Sequence, residues 1–497
     1  MRDFFTKNKY GVILSLLILA YIVYFSYFTI LRLHTLGASY FDLGIMHQTV
    51  FNTYKAIVEH DPSRILELTN PFNSDQIKRM AIHNDVLLAV LAIFYFIHSG
   101  PETLLVIQAV MLGLGALAVY GIANHVFQSQ SRKRLIGLVF ALAYLLYTPM
   151  ERANIFDFHV VTLSTATLLC MWYFWIKKKY VISFIFLVLS LFSKEQVGLT
   201  TFFFGLYIAY RYLQATKINP HMSEKKELVF AYLVMLISVG WFLLSMAIII
   251  PYFRGGKHFA LDYYGDFGDS SLGVGTVIKH LFHIDTARYF WFLLGPLAFF
   301  SLFAPLQLLI AAPEFGINLL SNNWNMRNII YHYTSVIQPF VFISAIYGMH
   351  NLHIFLTHTK KKRPLIILSV ILLIFSGMFS FFKGPLPYSQ EKELHPFLYP
   401  QPEAKDARFW ANTLSDENLK ISTTGKLAPL FTSRRYFYTF SSHYPLADYI
   451  VLRLNEVYTF PEKKSLIPVY EKLSKDPNYT MIYKKNRLEV YKKIVKS

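Results

Sequence analysis

Residues 11–31 read GVILSLLILAYIVYFSYFTIL, and residues 32–47 follow as RLHTLGASYFDLGIMH. The first run is uncharged and long enough to cross a bilayer, which takes about 20 apolar residues. It is too long for a signal-peptide core and lacks a small-residue cleavage site. It therefore reads as an uncleaved anchor helix with its basic flank, MRDFFTKNKY, in the cytoplasm. The second run then places Asp42 close to the external interface. A carboxylate at that depth is costly beside lipid, which makes it a functional-site candidate.

The rest of the chain repeats this alternation of apolar runs and short basic clusters. Further spans are expected at 102–126, 134–150, 160–176, 180–194, 196–213, 228–250, 288–304, 306–321, 333–356 and 364–382, about eleven with the first. Hydrophobic residues make up 54% of the chain and charged residues 16%, against about 25% charged in soluble proteins. The net charge of +18 sits in Arg2/Lys7/Lys9, Arg132–Arg134, Lys177–Lys179, Arg211–Lys226 and Lys360–Arg363, all in loops between apolar runs. That is the positive-inside pattern, and it argues against a nucleic-acid partner. All five clusters fall on the cytoplasmic side only if 288–321 is a hairpin turning near Pro305. Cys170 is the sole cysteine, so no intrachain disulfide forms.

Three external segments are longer than turns. The first, 32–101, contains an apolar stretch, Val86–Ile97, too short to span and suited to an interfacial or re-entrant helix. The second, 251–287, is rich in Gly, Asp and Tyr and suits a lid. The third, 384–497, has soluble character. After a linker marked by Pro385, Pro387, Pro396, Pro400 and Pro402, it alternates helices (404–414, 426–431, 463–474) with strands (419–423, 436–440, 448–452, 479–484, 487–491). The expected fold is a polytopic α-helical membrane domain, 1–383, with a small external α/β domain, 384–497.

Five polar constellations fall on the external side. In SYFDLGIMHQ, Asp42 suits either a catalytic base or a helix cap. His83-Asn84-Asp85 precedes the interfacial stretch, and Asn84 or Asp85 is expected to cap it. Asp157 and His159, in FDFH, point the same way if the backbone there is extended, giving a carboxylate-oriented imidazole. Lys194-Glu195 joins two apolar runs almost without a loop, which suits a phosphate contact at Lys194. Arg327, in WNMR, offers a planar fork for phosphate oxygens, and His332 follows in YHYT. No Walker loop, GxGxxG, HExxH, GxSxG or CxxC occurs.

In this order the segments YFDLGIMHQ, the His83 region with LLAVLAIFYFI, LAYLLYTP…FDFH, the Lys194-Glu195 turn and YHYTSVIQPF resemble a prokaryotic membrane-protein family catalogued as domain of unknown function 2079. That family in turn is similar to the C-type (GT-C) membrane glycosyltransferases, which carry an acidic catalytic residue near the start of a long first external loop. Asp42 occupies that position, as a lone carboxylate without a DxD or ExD partner. The resemblance implies a multi-pass plasma-membrane enzyme, N-terminus cytoplasmic, that moves a sugar from a polyprenyl-phosphate donor to a glycan, lipid or protein acceptor at the external face. Asp42 would be the base. Lys194 and Arg327 would neutralise the lipid phosphate. His83, Asp157, His159, Glu195 and His332 would line the pocket or hold a divalent metal, the one cofactor under consideration. The competing expectation is a transporter or flippase, whose polar residues normally lie near the bilayer midplane.

Overall fold

The computed structural model describes residues 2–494 apart from 219–223, 268–272, 359–362, 396–400 and 460–462. Parts of the Arg211–Lys226 cluster and of the 251–287 loop, with Lys360–Lys362, Pro396 and Pro400, lie outside the described residues.

Helical chain runs through each expected apolar segment. Among the described residues, five helices have the length and hydropathy of a crossing: Lys9–His34, Glu102–Val126, Lys225–Arg254, Gln338–His358 and Pro364–Lys383. A sixth is the pair Lys133–Leu145 and Thr148–Phe156, bent by 42°. Pro149, in the first turn after the break, restarts the helix with a residue that needs no N–H partner. Shorter apolar helices, Val160–Ile176, Tyr180–Leu191 and Pro305–Leu320, fill out the bundle. Glycine permits one of its closest packings: a Cβ on Gly198 would stand 2.5 Å from the carbonyl oxygen of Ser238 in the neighbouring helix.

The segment from 284 to 320 folds back on itself. Asn318 Nδ2 donates to the Tyr289 hydroxyl at 2.9 Å, and Phe290 stacks on Phe315 at 5.4 Å. The reversal uses left-handed backbone at Ala298 and Phe299, just before Pro305. A hairpin here is the geometry the basic clusters require.

The segment 32–101 opens with left-handed Leu36 and a π-helical turn, Tyr40–Gly44, which carries Asp42. Helix Ile45–Val58 follows, then a short antiparallel pair, β1 (Glu67–Thr69) and β2 (Gln76–Lys78). The apolar stretch after His83 forms a short helix, Leu87–Leu91, continued by a 3₁₀ turn, Ala92–Phe96. Ile93, Phe96 and Ile97 are exposed on it, as on a helix lying at an interface. Neither Asn84 nor Asp85 caps this helix, contrary to expectation; Asn84 donates to Ser245 and Asp85 binds Arg79. Each polar group pairs instead with a side chain outside the helix.

The C-terminal part forms one mixed sheet of five strands, β3 (Ile421–Thr423), β4 (Phe437–Thr439), β5 (Tyr449–Arg453), β6 (Tyr479–Lys485) and β7 (Leu488–Lys493). Their order is β4-β3-β5-β7-β6. β3 is parallel to β4 and β5, while β7 is antiparallel to β5 and β6. This sheet shares a core with the segment 32–101: Leu36, Tyr40, Ile45 and Leu68 pack with Ile421, Phe437 and Val451. Polar contacts reinforce the seam, from Arg435 to Glu67 and from Lys55 to Glu417.

Candidate functional site

Five separate stretches of chain meet at one end of the bundle around a cavity of about 330 Å³. Asp42 enters from the π-helical turn and His83 from the loop after the 3₁₀ turn Arg79–Ala81. His159 comes from the extended break after the bent helix. Lys194 and Glu195 sit at the tight turn before helix Val197–Ile218, and His332 sits in the 3₁₀ turn His332–Thr334. Six of the eight residues singled out from sequence therefore line one cavity. Asp157 lies immediately behind it, and Arg327 stands apart.

Asp42 is held on both oxygens. His159 Nε2 is 2.9 Å from Oδ1, and the Ser39 hydroxyl donates to Oδ2 at 2.8 Å. The carboxylate accepts no backbone N–H, so the capping role is absent. Burial alone would raise its pKa, but the His159 and Ser39 contacts and the charge of Arg32 outweigh burial and hold it below the usual carboxylate value. Asp42 is therefore an ionised acceptor, with its side chain 22% exposed toward the cavity. Asp157 completes the support. It pairs with Arg32 Nη1 at 2.8 Å and receives the Ser39 backbone N–H at 3.1 Å. Its own pKa is pushed up to about 6 by burial, partly opposed by Arg32. His332 stacks on His159 with ring centroids 3.7 Å apart, which fixes the imidazole plane beside Asp42.

The opposite wall is organised by Glu195. Its Oε1 lies 2.8 Å from His83 Nδ1 and 3.2 Å from His258 Nε2, and its Oε2 accepts the Asn84 backbone N–H at 3.0 Å. These contacts hold its pKa well below the usual range against the raising effect of burial. Burial pushes His83 down to about 3, so its ring is neutral. His83, Glu195 and His258 are close enough together to share a metal ion. The hydrogen bonds disfavour this arrangement. His258 Nδ1 accepts the Ala260 backbone N–H at 2.9 Å, which leaves the ring proton on Nε2, directed at Glu195. A metal-binding imidazole normally donates its other N–H outward. The three side chains thus satisfy one another as a hydrogen-bonded unit.

Lys194 is 9% exposed and lines the cavity, and its side chain makes no hydrogen bond or ion pair among the described residues. Arg254 also lines it, lying 5.4 Å over the Phe259 ring. Arg79 is already neutralised by a bidentate pair with Asp85 at 2.8–3.0 Å, with both side chains buried. Asp85→Ala would strand that guanidinium. It is expected to cost about 3–5 kcal/mol, read as a lowered melting temperature of the detergent-solubilised protein, whereas an unchanged melting temperature would contradict the pairing.

Arg327 was expected at the phosphate and lies outside the cavity lining. Its guanidinium stacks on Trp324 at 4.1 Å and contacts His280 and the Ser321 carbonyl. Sequence reasoning missed Arg32, Ser39, Arg254 and His258. The last two belong to the Gly-rich stretch FRGGKHF, where two basic residues beside glycines were the available signal.

The family described as "Predicted membrane protein (DUF2079)" matches residues 32–490. Among curated proteins none matches the sequence. ArnT from Cupriavidus metallidurans bound to undecaprenyl phosphate is similar in structure, with a TM-score of 0.54 at 11% identity, over 97% of this chain and 98% of that one. The oligosaccharyltransferase AglB from Archaeoglobus fulgidus, in complex with an inhibitory peptide and a dolichol-phosphate, gives 0.41 at 13% identity, over 96% of this chain and 73% of that one. The similarity to the first of these is one of fold.

Proposed function

The chain belongs to the DUF2079 family of predicted membrane proteins, and from that premise we propose that it is a GT-C glycosyltransferase using a polyprenyl-phosphate sugar at the external face of the plasma membrane. The observation that carries the reading is Lys194. Its side chain lines the cavity with no hydrogen bond or ion pair among the described residues, which leaves the ammonium open to an anion that a ligand supplies. A lipid phosphate does so, with Arg254 as its second cation. The ArnT structure holds undecaprenyl phosphate, and a shared fold makes the same class of lipid the first to test here.

In the reaction the acceptor hydroxyl oxygen forms a bond to the anomeric carbon of the donor sugar. The bond from that carbon to the phosphate oxygen breaks, and polyprenyl phosphate leaves. The hydroxyl proton passes to Asp42, whose accessible carboxylate remains ionised at neutral pH. Charge grows on the phosphate, where Lys194 and Arg254 stabilise it without reorganising. Transfer is expected to need no divalent metal, because the Ala260 N–H on His258 Nδ1 puts the ring proton on Nε2, between His258 and Glu195. Dialysis against a chelator should leave the rate unchanged, and loss that added Mg²⁺, Mn²⁺ or Zn²⁺ restores would overturn this.

The test is transfer from a panel of radiolabelled polyprenyl-phosphate sugars in proteoliposomes, with membrane glycolipids and peptides as acceptors. Turnover with one donor supports the reading. Movement of an intact lipid-linked sugar across the membrane without transfer would favour a flippase instead.

The pH dependence separates the two carboxylates. Asp157, raised to about 6, picks up a proton as pH falls through 6 and releases Arg32, while Asp42 stays charged. An acid limb near pH 6 is therefore expected for the wild type. In Asp157→Asn that limb should vanish, leaving a lower rate flat with pH down to about 5; a limb that persists would assign it elsewhere.

Orientation follows from the basic clusters, with the N-terminus cytoplasmic and the C-terminal sheet external. Single cysteines at Ser131 and Ser415 check it. A membrane-impermeant thiol reagent should label position 415 in intact cells and spare 131, and the reverse pattern would overturn the topology.

A further inference from the structure

Helix Pro364–Lys383 has its C-terminal end near the Asp42 cavity side, where the Lys383 carbonyl accepts from Arg152. Its N-terminal end is 20 residues away, about 30 Å at 1.5 Å per residue. There it parts from helix Lys133–Leu145 to leave a groove of about 260 Å³, walled by Leu135, Ile136, Val139, Leu365, Val370 and Leu373. A second hollow of about 240 Å³ shares Arg132 and Leu365 with the groove and adds His353 and Arg363.

The groove is mainly apolar and lies between two helices of the bundle. The adjoining mouth carries Arg132 and Arg363, both exposed and neither with a side-chain hydrogen bond or ion pair among the described residues. No Asp or Glu lines either hollow. In sequence the mouth is flanked by Lys133, Arg134 and Lys360–Lys362. An apolar slot in a membrane is filled by a hydrocarbon chain. Two unpaired guanidiniums at its mouth select a negative headgroup, since a planar fork matches phosphate oxygens.

We propose that this groove binds an anionic phospholipid, with an acyl chain along Leu135, Val139 and Leu373 and the phosphodiester between Arg132 and Arg363. The site is separate from the Asp42 cavity and does not rest on the glycosyltransferase reading.

The full-length protein in detergent would be titrated with phosphatidylglycerol and, separately, phosphatidylcholine of the same acyl chains, with bound lipid counted by native mass spectrometry. The wild type is expected to prefer phosphatidylglycerol by roughly 10- to 30-fold, from about 1 kcal/mol per basic residue. Arg132→Gln/Arg363→Gln should bring the two lipids to near parity. Arg288→Ala, a loss of charge on an exposed side chain elsewhere, should keep the preference. Val370→Trp, which fills the groove from the apolar side, should lower retention of phosphatidylglycerol with both arginines in place. Parity in the wild type would overturn the proposal, as would a preference that survives the double substitution. Polyprenyl phosphate outcompeting phosphatidylglycerol in an arginine-dependent way would overturn the choice of lipid.

Discussion

Asp42→Asn is expected to lower sugar transfer by about 10²–10⁴-fold, the usual effect of removing a general base. The amide keeps the shape of the side chain. Its oxygen can still accept from His159 Nε2 or from the Ser39 hydroxyl, the two contacts that orient the carboxylate. What is lost is the capacity to take a proton from the acceptor hydroxyl at neutral pH. Donor binding should change little, because the cations Lys194 and Arg254 are untouched. A folded Asp42→Asn protein that binds donor normally and transfers at the wild-type rate would remove Asp42 from the chemistry. Asp42→Glu separates base from structure in a second way, since it restores a carboxylate at the wrong reach. It is expected to recover part of the rate.

Lys194→Met should produce the other large loss, about 10²–10³-fold in turnover, from removing one charged donor at a site where negative charge develops. Methionine keeps the apolar stem, but the Lys194 charge also steadies the buried Glu195 carboxylate. Its loss should therefore cost some thermal stability, whereas Lys194→Arg, which keeps the charge, should not. A collapse of transfer far beyond that stability change distinguishes a ligand-binding lysine from a structural one. Lys194→Arg should retain more activity than Lys194→Met. Equal activity in all three proteins would mean that the phosphate lies elsewhere.

Much of this site was legible because burial in a membrane leaves few places for polar groups. Asp42, His83, His159, Lys194, Glu195 and His332 each stood at the end of an apolar run, and the parity of the basic clusters put those ends on one side. The hairpin expected at 288–321 came from the same parity, and the Tyr289–Asn318 contact brings the two ends of that segment together. Arg327 was misplaced for a local reason: Trp324, three residues earlier, offers its guanidinium a face at 4.1 Å. A linear pattern does not say whether an arginine reaches a ligand or its own neighbour. Arg254 and His258 were passed over because a Gly-rich loop carries no periodicity from which to infer a direction.

The strands of the C-terminal sheet were readable from their short β-branched and aromatic runs between turn residues. The shared core was not. Tyr40, beside Asp42, hydrogen-bonds the Gly425 carbonyl through its backbone N–H, and Lys426 Nζ reaches the Gly37 carbonyl at 3.3 Å. Those contacts join positions nearly four hundred residues apart, and pairing at that distance is a property of surfaces that no local window contains.

A cryo-EM map of the protein with a bound polyprenyl phosphate tests the central claim most directly. The account predicts density for the phosphate in the Asp42 cavity, against the Lys194 ammonium and the Arg254 guanidinium, with the tail leaving toward lipid. Phosphate density away from Lys194, with the Asp42 cavity free of lipid, would contradict it.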